Sequence, residues 1–143
     1  QYEDYKPTEV LDAEIKGGRL LRGKFRNIPG KQHVVSVPGR PEIVIPNLIC
    51  CNRALQNDIV AVQILGQQGS FDTGKIVGIL KRDTEKVFAC TISAEDAKST
   101  SGFIMAVPYD YYIPKIRFRT NNAADLASKY FTVKIDRWDL QSK

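Results

Sequence analysis

In the stretch IPKIRFRT, residues 113–120, Lys115, Arg117 and Arg119 stand at every second position with Ile116 and Phe118 between them. Successive side chains of an extended strand leave opposite faces, so this order sends an apolar pair toward a core and three cations to one outer face. The arrangement occurs twice. RLLRGKFR (19–26) sets Leu21, Gly23 and Phe25 on one side and Arg22, Lys24 and Arg26 on the other. A row of ammonium and guanidinium groups at strand spacing suits a polyanion whose charges repeat along a line. Lys31, in the loop that follows, extends the first row, and Tyr109, Tyr111 and Tyr112 stand just ahead of the second. Single-stranded nucleic acids are held by such a combination, because phosphates take the charges and bases stack on the rings. Each tyrosine also has a plainer reading as the plug of a barrel end, and either stripe alone reads as well as a solvated face.

Chemistry that breaks bonds finds little support. The acids are scattered, and the closest pairs, Glu3-Asp4 and Glu95-Asp96, sit in expected loops without a convergent partner. His33 is the sole histidine, so no Ser/His/Asp or Cys/His arrangement is available, and no glycine-rich phosphate loop occurs. The three cysteines, Cys50, Cys51 and Cys90, have no Cys-x-x-Cys spacing and cannot form a complete disulfide set. They read as small buried hydrophobes in a reducing, intracellular setting, with Cys50 and Cys51 diverging in an extended segment. The longest apolar run, FIMAV (103–107), is far short of the roughly 20 residues that span a bilayer, so no membrane partner is expected.

The 143 residues carry 21 Lys and Arg against 16 Asp and Glu, a net charge of +5, so the basic character lies in local clusters more than in the total. Thr8 followed by EVLDAEIK and Gly17-Gly18 predicts a short helix with a hydroxyl cap and a glycine stop. After it come β-branched runs: 19–26, HVVSV (33–37), EIVI (42–45) and IVAVQIL (59–65), separated by proline, glycine and asparagine turns. The second half retraces this course. GKIVGILKR (74–82) is similar to GRLLRGKFR (18–26), and YFTVKID (130–136) to IVAVQIL, with GQQGSFD (66–72) between them as a linker. The expected fold is all-β: two tandem five-stranded barrels of the oligonucleotide-binding (OB) type with a short N-terminal helix. The helix and first barrel would occupy 1–66 and the second barrel 67–143. One larger sandwich is the alternative.

Several stretches carry a resemblance to a known family. CNRALQNDIVAVQIL (51–65) resembles the end of the first cold-shock-like barrel in exoribonucleases of the RNase II (RNB) family. GKIVGILKR, VPYDYYIPKIRFRT (107–120) and VKIDRWD (133–139) resemble, in that order, the second barrel of the family's eukaryotic, exosome-associated branch. The helix and GGRLLRGKFR (17–26) resemble the same branch's approach to the first barrel. The resemblance implies a piece of a processive 3′-to-5′ RNA-degrading enzyme, in which two cold-shock-like barrels precede the catalytic domain and help thread single-stranded RNA. It implies single-stranded RNA, the parent's RNB catalytic domain and exosome subunits as partners, and a nuclear or cytoplasmic location. Magnesium would be held in the catalytic domain, with no cofactor in the present residues. The expected RNA contacts are Arg22, Lys24, Arg26 and Lys31 in the first barrel, and Lys115, Arg117, Arg119, Tyr109 and Tyr112 in the second. Trp138 would pack against its barrel or the catalytic domain, and His33 would be a strand residue without catalytic duty. Two other roles stay open: a docking module within the exosome, whose stripes meet acidic protein, and a free-standing cold-shock-type RNA-binding protein.

Overall fold

Alternation dictates the first strand. β1 (Leu21–Arg26) buries Gly23 and Phe25 and exposes Arg22, Lys24 and Arg26. The computed structural model describes residues 1–28, 30–82, 87–93, 103–120, 126 and 129–138. The chain forms two units, Gln1–Asp83 and Thr84–Lys143. In the first, β1 is joined by β2 (His33–Ser36), β3 (Ile43–Ile45), β4 (Ile59–Gln68) and β5 (Phe71–Lys81), which close into a barrel of order β1-β2-β3-β5-β4. All its pairings are antiparallel except β3 with β5, which run parallel. Phe25, Val35, Ile43, Val60, Val62 and Ile76 fill the interior. Closure gives every strand two neighbours and leaves no free edge.

Helix α1 (Thr8–Lys16) covers the outside of this barrel, where Leu11 packs on Leu20, Ala61 and Val77. The expected hydroxyl cap is absent: the N-cap position is Pro7, whose carbonyl accepts from Leu11 N, and no side chain caps the first turn. Proline supplies the entry geometry through its fixed φ instead. The glycine stop is present, with Gly17 as C-cap and Gly18 at φ 79°. Gly78 of β5 lies directly beneath Leu11, and a Cβ there would overlap Leu11 Cδ1. Gly78→Val is therefore expected to destabilise the first unit by about 1–3 kcal/mol, the usual range for overpacking. The double variant Leu11→Ala/Gly78→Val should lose less than the two singles together in urea unfolding, because the clash partner has gone.

The division between the halves differs from the expected one. Residues 66–72, expected as a linker, form a β-hairpin: Gly66, Gln67 and Gln68 pair with Thr73, Asp72 and Phe71 around a turn at Gly69, φ 63°. The expected boundary between residues 66 and 67 thus falls inside β4, and the first unit extends to Asp83. GKIVGILKR does not open a second barrel. It closes the first as β5, between β3 and β4. Residues 66–71 are exposed, and solvent-facing strand has the composition of a loop. Cys50 and Cys51 also depart from expectation, lying in a short helix, α2 (Leu48–Cys51), whose Asn47 side chain accepts from Cys50 N at 2.9 Å.

The second unit contains β6 (Phe88–Ile92), β7 (Phe103–Pro108), β8 (Ile116–Arg119) and β9 (Phe131–Val133) in an antiparallel sheet of order β8-β7-β6-β9. Ile92 and Ile104 pack with Leu126, Phe118 and Phe131 on its inner face. The chain is therefore all-β with an N-terminal helix, a closed five-stranded barrel and a second sheet with four strands among the described residues. No helix among the described residues is long and apolar enough to cross a membrane.

Candidate nucleic-acid interface

The first stripe owes its direction to its inward neighbours. Phe25 is fully buried, and a side chain at Gly23 would fall 2.5 Å from Val35 Cγ1, so β1 can present only Arg22, Lys24 and Arg26 to solvent. Arg26 Nη1 lies 3.9 Å from Glu42 Oε1, but both groups are exposed, and such a pair is screened and weak. Among the described residues Arg22, Lys24 and Lys31 make no ion pair. Lys31 is exposed in the turn after Gly30, its backbone N–H donating to Ile28 O. His33 is a half-buried strand residue stacked on Phe25, with ring centroids 6.0 Å apart.

A buried brace holds β1 from behind. Asp58, 1% exposed, accepts from Leu55 N at 2.7 Å and from Arg82 Nε and Nη2 at 3.1 and 2.7 Å. Arg82 Nη2 also donates to Arg53 O. The same turn bonds to β1 through its backbone, with Phe25 N donating to Asp58 O and Asn57 N to Phe25 O, both at 2.9 Å. Asn52, Arg53 and Asn57 all adopt positive φ, a region asparagine tolerates better than most residues. Arg53 lies 4.2 Å from the Tyr5 ring centroid, and the Tyr5 hydroxyl donates to Asn52 O at 2.7 Å. Burial pushes the Tyr5 phenol above its ordinary pKa, so it stays protonated as this donor. Arg53 and Arg82 are thus committed to structure, which separates them from the exposed stripes.

In the second unit Ile116 and Phe118 turn toward the sheet's inner side while Lys115, Arg117 and Arg119 are exposed, with no ion pair among the described residues. Arg119 pairs opposite Phe103 and Arg117 opposite Met105. The two guanidinium carbons lie 5.5 and 5.6 Å from the Phe103 ring centroid. The same cations line a groove of about 810 Å³ between β8 and the segment after β9, where Lys134, Arg137 and Trp138 face them with a single acid, Asp136. The tyrosines divide. Tyr109 is exposed with its ring 5.5 Å from that of Tyr130, and its hydrogen bond with Tyr130 raises its phenol pKa. Tyr111 is fully exposed. Tyr112 is half-buried, edge-on to Trp138 at 6.4 Å. Phe103, Tyr130, Lys134 and Arg137 were not singled out by sequence reasoning. The alternation in TVKIDR carried a signal for Lys134, whereas nothing local marked which way Phe103 would point.

Among the described residues no three His, Cys, Asp or Glu side chains are grouped to hold a metal ion. What the site offers is cations and aromatic rings on outer strand faces.

Residues 103–143 match the family described as Dis3-like cold-shock domain 2. The exosome complex exonuclease dis3 of Schizosaccharomyces pombe is 29% identical over 194 residues, covering 99% of this chain and 19% of that protein. The exosome complex exonuclease RRP44 of Homo sapiens is 26% identical over 185 residues, again covering 99% of this chain and 19% of the relative. The chain therefore spans about a fifth of the length of these relatives. Among solved structures, yeast Ssd1, described as a pseudonuclease, superposes with a TM-score of 0.78 over 99% of this chain and 23% of its own, at 21% identity, a likeness of fold.

Proposed function

Because the chain belongs to the Dis3-like branch of the RNase II-type exoribonucleases, we propose that it is the paired cold-shock region that receives single-stranded RNA and leads 3′ ends toward a catalytic domain. The observation that supports this most is the two exposed cation stripes, the first backed by a buried apolar face and the second by a half-buried one. Arg22, Lys24, Arg26 and Lys31 in the first unit, and Lys115, Arg117 and Arg119 in the second, would neutralise phosphates. Tyr109, with Tyr112 at the margin, would offer rings to bases. The RNB catalytic domain of the parent, with its magnesium, and the subunits of an exosome are the partners this reading implies, in the nucleus or cytoplasm.

On this proposal the second unit is a five-stranded barrel like the first. Among the described residues its strand order is that of the first barrel with β5 removed.

The test is an anisotropy titration of the 143-residue chain with labelled oligoadenylate at several salt concentrations. If four to six phosphates are neutralised, log affinity should fall against log salt with a slope of roughly −3 to −4, at about 0.7 per phosphate of a single strand. A slope near zero would sink the proposal.

A further inference from the structure

The geometry points to Phe103 as a nucleobase-stacking platform set between two phosphate-binding arginines on the outer face of the second unit, an inference that rests on the RNA reading above. Strand alternation explains its position: Ile104 and Ala106 of β7 are buried, so Phe103, Met105 and Val107 turn outward. A phenylalanine ring left 50% exposed forgoes much of the apolar burial that usually places it in a core. Across the sheet, Arg119 stands directly opposite and Arg117 diagonally, and both guanidinium carbons lie within 5.6 Å of the ring centroid. Cation–π attraction at this range holds the two arginines beside the ring without neutralising them. Two residues along a strand advance about 6.6 Å, of the order of the step between phosphates in a stretched single strand. Successive phosphates can then meet Arg119 and Arg117 while the intervening base lies on the ring.

Charge selects the occupant. Across this patch of β7 and β8 the outward side chains are Phe103, Met105, Val107, Arg117 and Arg119, with no acid among them. The first barrel is built otherwise: across from Arg22 and Lys24 stand Ala61, Ile59 and Ser36, and no ring. Beside Arg22 and Lys24 the first unit therefore offers charge without a ring, whereas Arg117 and Arg119 of the second stand beside a stacking face.

The experiment titrates the 143-residue chain with oligoadenylate and with an abasic ribose-phosphate strand of equal length, across a salt series. The unchanged chain should bind oligoadenylate more tightly than the abasic strand. Phe103→Leu, which keeps apolar bulk but has no π face, should weaken oligoadenylate binding by roughly 5- to 100-fold. It should leave the salt slope as it was and narrow the gap to the abasic strand, whereas Phe103→Tyr should retain tight binding. Arg117→Gln/Arg119→Gln should instead flatten the slope by about 1.4. The inference fails if Phe103→Leu binds as the unchanged chain does. It also fails if that variant loses slope together with affinity, since the ring would then act only by ordering the arginines. Salt-dependent binding by the unchanged chain without preference for the base-bearing strand defeats this inference alone and needs no variant to fold. No binding at all defeats the RNA reading as well.

Discussion

Arg82→Met should destabilise the first unit by about 3–5 kcal/mol, the range for breaking a buried ion pair by removing one partner. The two partners are unequal. Asp58 is 1% exposed and the Arg82 side chain 32%, so the carboxylate is the group that cannot regain water when the pair is broken. Without Arg82 it keeps, among the described residues, only the Leu55 N–H, and a buried charge with one donor is costly. Asp58→Asn should be milder, at about 1–3 kcal/mol: the amide oxygen can still accept from Leu55, and Arg82 can turn toward solvent. The double variant should lose less than the sum of the singles. Because the turn at Asn57 and Asp58 bonds to Phe25 through both backbone groups, loosening it also loosens the middle of the first stripe. Urea unfolding followed by circular dichroism measures all three. An Arg82→Met variant as stable as the unchanged chain, or an Asp58→Asn variant that is worse, would contradict this account of where the cost lies.

Neutralising either stripe should act on binding and spare stability. Arg22, Lys24 and Arg26 are exposed on a strand whose packing is carried by the other face, so glutamine at all three positions should change folding free energy by no more than about 0.5 kcal/mol per site. Each lost phosphate contact takes about 0.7 from the salt slope of a single-strand complex. The triple variant should therefore flatten the slope by about 2 and weaken oligoadenylate binding about 100-fold near 0.1 M salt. The corresponding triple at Lys115, Arg117 and Arg119 should do the same to the slope and weaken binding further, because it also removes the arginines beside Phe103. Exposed cations outside the stripes provide the control. Lys16→Gln and Lys129→Gln should leave the slope unaltered, and a slope as steep after both stripe triples as before would show that the phosphates lie elsewhere.

Much of the candidate site was legible in the sequence because its determinants are local. The period-two order of RLLRGKFR and IPKIRFR decides, for any extended strand, that cations and apolar groups part to opposite faces, and the structure keeps that order. The helix at 8–16 and most strands of the first unit were readable on the same grounds. Partnership between distant segments was not. GKIVGILKR has the composition of a strand wherever it lies, and whether it opens one barrel or closes another depends on β3 and β4 being there to receive its backbone. The same limit hid Phe103, whose place beside Arg117 and Arg119 is set by register across a sheet between segments well separated in sequence. Composition and periodicity determined which way each side chain points along its own strand. Only tertiary pairing decided which side chains meet, because hydrogen-bond register and barrel closure depend on contacts between segments that no local window contains.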